Sequence, residues 1–193
     1  MLAEADALRS LGLDRRAALW RVRGLEQDTP PLLAALDPPP GAAVLPGMQE
    51  GEHVAADYQT TGLSLRAHPM RFLRRVLAAE GVASCAAATA ERDGRKVRLA
   101  GIVLVRQRPG TASGVVFATI EDETGIANIV IWAAVMERFR RAVLGSSVLE
   151  VAGRVQRSEE GVVHVVADAL TDRSALLATL EGEVALPPSR DFR

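Results

Sequence analysis

Between Lys96 and Ala169 the apolar and polar positions fall into five β-forming runs, interrupted once by a helical period. Val97–Gln107 (VRLAGIVLVRQ) is long, with Gly101 near its middle. Gly114–Gly125 (GVVFATIEDETG) closes on an acidic turn, and Ala127–Trp132 (ANIVIW) follows directly. Ser147–Arg157 and Gly161–Leu170 then flank the turn Ser158-Glu159-Glu160-Gly161. Short alternating runs bounded by turn residues predict strands, and the last two predict a hairpin. The exception is Ala133–Gly145 (AAVMERFRRAVLG), whose apolar residues recur at helical spacing before a glycine stop.

Three strands, a helix and two strands is the element order of an OB barrel, so the predicted fold class is α+β: a helical N-terminal part and linker, then a five-stranded OB-fold β-barrel with one inserted helix. Strand alternation divides its residues into two faces. Val116, Ala118 and Ile120, then Ala127, Ile129 and Ile131, suit a narrow interior. So do Leu149, Val151, Val155, Val163 and Val165. Val115, Phe117 and Thr119 oppose the first set, and Asn128, Val130 and Trp132 the second. Gly101 is read as the point where one long strand bends to serve both sides of the barrel.

Upstream, the pattern is helical and then broken. Leu2–Leu8 reads as a short helix and Leu11-Gly12-Leu13 as a tight turn. Asp14 reads as the N-cap of a helix that Gly24 ends. Prolines at 30, 31, 38, 39, 40 and 46 make 26–49 a linker. A helical connector occupies 50–93. It contains Glu50–Thr61, ended by Gly62, and a helix opened by His68-Pro69 with Met70, Leu73 and Leu77 on one stripe. Val82–Asp93 carries little pattern. The barrel is assigned to 95–171, and 172–193 to a short helix at Ser174–Leu180 and a loose tail holding Pro187 and Pro188.

Charge sharpens the picture only locally. The formal net charge is −1, so phosphate binding must come from patches. Five basic residues and no acid lie between Arg95 and Arg108. The loops after the first and fourth strands flank the binding face of OB folds, together with strands two and three. The candidate nucleic-acid-binding residues are therefore Arg106, Arg108, Phe117, Asn128, Trp132, Arg154, Arg157 and His164. Phe117 and Trp132 would stack bases and the arginines would follow a phosphate backbone. Two of these keep structural alternatives: Phe117 covered by a neighbouring domain, and Trp132 packed on Phe139. Of 23 basic residues Lys96 is the one lysine, a bias read as codon drift, which lowers the weight of any single arginine.

Glu121-Asp122-Glu123 is expected to be a solvated turn, because consecutive carboxylates on a strand turn diverge. His53, His68, His164 and Cys85 lack metal-ligand spacing, and no phosphate loop or nucleophile motif occurs. No metal, cofactor or catalytic residue is expected. One cysteine excludes an internal disulfide framework and fits a reducing cytoplasm. No apolar run is long enough for a membrane span.

The segments ALRSLGLDRRAALW, TGLSLRAHPMRFLR and GIVLVRQRPG…GVVFATIEDETGIANIVIW, with the terminal SRDFR, resemble in order the C-terminal portion of the bacterial error-prone DNA polymerase, a relative of the DNA polymerase III alpha subunit. The resemblance implies translesion synthesis, with the barrel on the single-stranded template. It implies that residues 1–25 end a helix-hairpin-helix element, in which Asp14 replaces a glycine and opposes phosphate binding. The family's catalytic core lies upstream of the matched region, so this chain is read as a fragment or truncated gene of the tail, not a polymerase by itself. Its implied partners are the remainder of the polymerase and proteins of the damage-response cassette. Gln27–Leu33 (QDTPPLL) lacks the aromatic of a sliding-clamp motif, so direct clamp binding is not expected. Two other readings remain: a protein-interaction OB module, and a tRNA anticodon-binding OB domain.

Overall fold

The computed structural model describes residues 2–25, 45–110, 114–180 and 190–191. The predicted linker lies outside them up to residue 44, as do the Gln27–Leu33 segment and Pro187-Pro188. The helices are α1 (Arg15–Leu25), α2 (Glu50–Thr61), α3 (Pro69–Ala79) and α4 (Cys85–Ala90), ahead of the barrel. The barrel comprises β1 (Lys96–Gln107), β2 (Val116–Asp122), β3 (Gly125–Ile131), α5 (Ala133–Arg138), α6 (Arg140–Gly145), β4 (Val148–Arg157) and β5 (Val163–Asp172). A short β6 (Arg190–Asp191) pairs in parallel with Val105 and Arg106 of β1, where a loose tail was expected.

The strands run β2-β3-β5-β4-β1, and β1 also pairs with β2, which closes the barrel. β1 achieves this by changing partners along its length: Lys96–Ile102 pair with β4, and Ile102–Gln107 with β2. Gly101 sits at the changeover. A Cβ there would lie 2.6 Å from the Glu121 carbonyl oxygen, so the crossing strands approach more closely than any side chain permits. A bulge at Val103/Val105 follows immediately and adds the bend. A second close crossing occurs at Gly153, beside the β4–β5 bulge, where a Cβ would collide with the Val166 carbonyl.

The interior is the predicted one except at Val163, which stays partly exposed at the start of β5. Val116, Ala118, Ile120, Ala127, Ile129, Ile131, Leu149, Val151 and Val165 are all buried. Cys85 and Ala88 of α4 close the end where β2 turns into β3, while Met136 and Val143 of α5 and α6 close the other. A second apolar cluster lies outside the barrel wall. There Met70, Leu73 and Leu77 of α3 pack on Ala100, Ile102 and Val148, with Leu177 from the 3-10 segment Ser174–Thr179.

Two expectations change at the N-terminal side. Leu2–Leu8 forms turns, followed by a 3-10 turn at Arg9–Leu11, and α1 continues through Gly24 to Leu25. Asp14 does cap α1, its carboxylate accepting the Ala17 N–H at 2.7 Å. Arg15 is buried and ties α1 to α2, donating to the His53 carbonyl at 2.9 Å and pairing with Asp57.

The acidic turn is also a correction. Asp122 is buried, not solvated, because four donors converge on it. Its Oδ2 accepts from the Cys85 N–H and from Arg74, each at 2.7 Å. Its Oδ1 accepts from the backbone and hydroxyl of Thr124 at 2.8 and 2.6 Å. Arg74 also pairs with Glu123 at 2.6 Å, so α3 and α4 are both fastened to the β2–β3 turn. Burial works against the Arg74 cation, but Glu123 and Asp122 more than offset it and hold its pKa above the ordinary value. Burial, reinforced by Asp122, pushes the Cys85 thiol up and keeps it protonated.

Two outcomes follow for stability. Gly101→Ala is expected to lower it by about 1–3 kcal/mol through overpacking against Glu121, read as a drop in the urea midpoint at constant slope. His68 caps α3, its Nδ1 accepting the Met70 N–H at 3.2 Å, and burial pushes its pKa below 6.5. The folded state therefore favours neutral imidazole. That contribution is complete above pH 6.5 and is lost as pH falls below it toward the depressed folded value. His68→Asn keeps a cap without titrating, so its urea midpoint should fall less than that of the wild type across this window.

Candidate nucleic-acid interface

Cross-strand pairing carries one row of outward positions around the barrel. Lys96 pairs with Arg154, Arg154 with Val166, Val166 with Val130, Val130 with Phe117, and Phe117 with Gln107. The row begins at the first residue of β1 and ends at its last, because tilted strands in a closed barrel return to the start displaced along the axis. It thus runs diagonally from the α4 end to the α5–α6 end.

The middle of this row is apolar and edged with polar groups. Phe117 is 37% exposed, and Val130, its cross-strand partner, is buried. The next pair along β2 and β3 is Thr119–Asn128, where the threonine hydroxyl donates to Asn128 Oδ1 at 3.1 Å. His164 and Asn128 each stand one residue before the Val165–Ile129 pair, and His164 Nδ1 is buried with no hydrogen-bond partner among the described residues. Trp132 is 56% exposed where β3 meets α5. Phe139 instead packs against the barrel core, with Arg138 over its ring at 5.2 Å. Arg108 is exposed in the loop after β1, close to Gly114.

Two of the predicted arginines do other work. Arg106 was expected at the mouth of the first loop, yet it is buried. The bulge at Val103/Val105 reverses the parity of β1, so Arg106 pairs with inward-facing Ala118. Its guanidinium donates to the Ser146 carbonyl and clamps the connection between α6 and β4. Arg157 was expected to follow a phosphate backbone. Its guanidinium instead donates to the carbonyls of Thr89 at 2.6 Å and Glu91 at 2.9 Å, capping the C-terminal end of α4. Arg154 stays half-exposed, 3.8 Å from Asp168. Lys96, Val130 and Val166 belong to the same row, although strand alternation did not single them out as candidates. Only the barrel register brings them beside Phe117 and Arg154.

The described residues contain no group of three or more His, Cys, Asp or Glu side chains placed to hold a metal ion. Their helices include none long and apolar enough to cross a membrane.

Residues 97–173 match the family described as OB-fold nucleic acid binding domain. The whole chain is 58% identical to the error-prone DNA polymerase of Rhodopseudomonas palustris (strain BisA53), covering 100% of this chain and 17% of that protein. Over its full length, the chain matches a stretch of error-prone DNA polymerases. The Brucella abortus biovar 1 (strain 9-941) polymerase is 55% identical over 96% of this chain and 18% of its own length. The chain therefore spans less than a fifth of these polymerases. The crystal structure of asparaginyl-tRNA synthetase from Pyrococcus horikoshii complexed with asparaginyl-adenylate is 29% identical, covering 56% of this chain and 23% of that one. Its TM-score of 0.40 is too low to bear on function.

Arg106→Ala and Arg108→Ala should separate a buried, structural arginine from an exposed one. Losing a charged hydrogen bond is expected to cost about 1.5–3 kcal/mol of stability. Arg108→Ala should leave the melting temperature unchanged, which a paired thermal denaturation checks.

Proposed function

We propose that this chain is the single-stranded-DNA-holding module of an error-prone DNA polymerase, and that the outward face around Phe117 is where the template lies. The observation that carries this reading is the pair of exposed aromatics, Phe117 on strand two and Trp132 at the junction of strand three and α5, in an OB fold whose family description is nucleic acid binding. The relatives' name supplies the choice of DNA.

The chemistry required is non-covalent. Bases unstacked from their neighbours re-stack on Phe117 and Trp132, at about 1–3 kcal/mol per base and with little sequence preference. Tolerance of sequence suits a template strand carrying damaged bases, because every base has a π-face. Asn128, held by Thr119, and His164 offer polar contacts to base edges, and Arg108 offers a cation to the backbone. Nucleotidyl transfer then belongs to the remainder of the polymerase, and delivery to damaged DNA to that remainder with partner proteins of the damage-response cassette. The setting is cytoplasmic.

Binding of a fluorescent oligothymidine, followed by anisotropy at several salt concentrations, tests the reading. Wild type should bind with a log-linear loss of affinity as salt rises. Phe117→Ala should weaken binding by about 1–3 kcal/mol with little change in slope. Arg108→Ala should reduce the slope by roughly 0.7, the value for one lost phosphate contact on a single strand. Wild-type binding without salt dependence would turn the face over to a protein partner.

A further inference from the structure

Beyond Val166 the diagonal row leaves the apolar patch and reaches a groove lined by Arg92, Asp93, Gly94, Arg95, Lys96 and Arg154. Four cations face one carboxylate there. That carboxylate is already engaged, since Asp93 accepts the Arg157 backbone N–H at 2.9 Å. Two of the four cations have an acid at the edge of ion-pair range, Arg95 with Glu91 at 3.9 Å and Arg154 with Asp168 at 3.8 Å. The side chains of Arg92 and Lys96 have no hydrogen-bond or ion-pair partner among the described residues. On a chain of net charge −1 this concentration of positive charge is local, not a consequence of overall composition.

The backbone beneath it is fixed. Arg92–Arg95 is a turn closed by the Arg95 N–H donating to the Arg92 carbonyl at 3.1 Å, with Gly94 at φ 72°. The Gly94 N–H donates to the Val155 carbonyl at 2.8 Å, and the Val155 N–H to the Arg95 carbonyl at 2.9 Å. These bonds extend the β1–β4 ladder, so the cations project from sheet-like backbone. Side-chain ordering is then the main conformational cost of engaging an anion.

We propose that this groove is a phosphodiester subsite for the same single strand whose bases stack on Phe117, holding the backbone where the strand crosses to the α4 end of the barrel. The inference rests on the reading of the Phe117 face as the template site and extends it. Register supports the continuity, since Lys96 and Arg154 lie in one row of paired positions with Phe117. Arg154 is three strand spacings from Phe117, about 14 Å along the wall. A strand of only a few nucleotides centred on the aromatics stops short of the groove, and a longer one enters it.

The test is oligothymidine binding by the 193-residue chain with the double variant Arg92→Ala/Lys96→Ala, at two strand lengths near the limits for one OB fold, about 4 and about 16 nucleotides. With the long strand, the slope of log affinity against log salt should fall by about 1.4, roughly 0.7 for each of two contacts. The short strand should bind the double variant as it binds wild type. Arg92→Lys/Lys96→Arg should restore both slope and length dependence, and thermal melts should match wild type because both positions are exposed. Arg71→Ala/Arg75→Ala on α3 removes equal charge from another part of the surface and should leave the slope unchanged. If the groove variant keeps the wild-type slope and length dependence while Phe117→Ala still weakens binding, the subsite is wrong and the aromatic face stands. If the α3 variant loses as much slope, net charge explains the effect and the subsite is again wrong. If wild type binds neither strand, both readings fall together.

Discussion

One strand in this fold must hydrogen-bond to two partners on either side of a closed wall. β1 gives its first half to β4 and its second half to β2, and the closure of the barrel depends on that division. The constraint is steric before it is energetic, since at Gly101 the backbone of β1 passes against the Glu121 carbonyl with no room for a Cβ. The bulge that follows does more than bend the chain. It shifts the inward–outward alternation by one residue, which turns Arg106 inward and leaves Phe117 and Gln107 paired on the outside. The identity of the exposed face is therefore a consequence of how the barrel closes.

A second constraint joins the barrel to the helices before it. Asp122 collects donors from α3, from the first residue of α4 and from its own turn, and its carboxylate is out of contact with water. A buried carboxylate is tolerated only when paired and fully hydrogen-bonded, so these contacts form together or not at all. Arg157 secures the other end of α4, and the Arg98–Glu150 pair with Arg173 adds a clasp on the β1–β4 side. The helical connector thereby covers one outer wall and one end of the barrel. On the wall carrying Phe117, Val130 and Val166, Phe117 is exposed and Val166 partly exposed, while Val130 between them is buried.

That asymmetry gives the proposed function its physical form. On the proposed reading, the wall that would face the strand places apolar and aromatic surface at its middle, a polar pair and a histidine beside it, and cations toward its two ends. Stacking surface contributes sequence-tolerant affinity, while the cations contribute a salt-dependent part that follows the backbone. On the proposed reading, such a module holds a strand without reading it.

The amino-acid sequence alone determined the order of the five strands and the position of the helical insertion, though not that this insertion is two helices, together with most of the interior set from Val116 to Val165, the N-cap at Asp14 and the proline start of α3. These follow from periodicities of two and 3.6 and from local turn chemistry, which act within a few residues. What tertiary structure decided depends on register and on long-range partners. Its position near the end of β1 puts Arg106 at the mouth of the first loop, but a bulge turns it inward. Asp122 looked solvated within an acidic run, because its partners Arg74 and Cys85 lie 48 and 37 residues away. Arg157 carried the right charge for a phosphate but meets the end of α4, a helix of six residues too short to announce itself by period. Lys96 and Arg154, 58 residues apart in sequence, became neighbours of one groove only when β1 and β4 paired antiparallel. Side-chain type is written locally, but which side chains share a surface is fixed by strand pairing, and pairing is a property of the closed barrel.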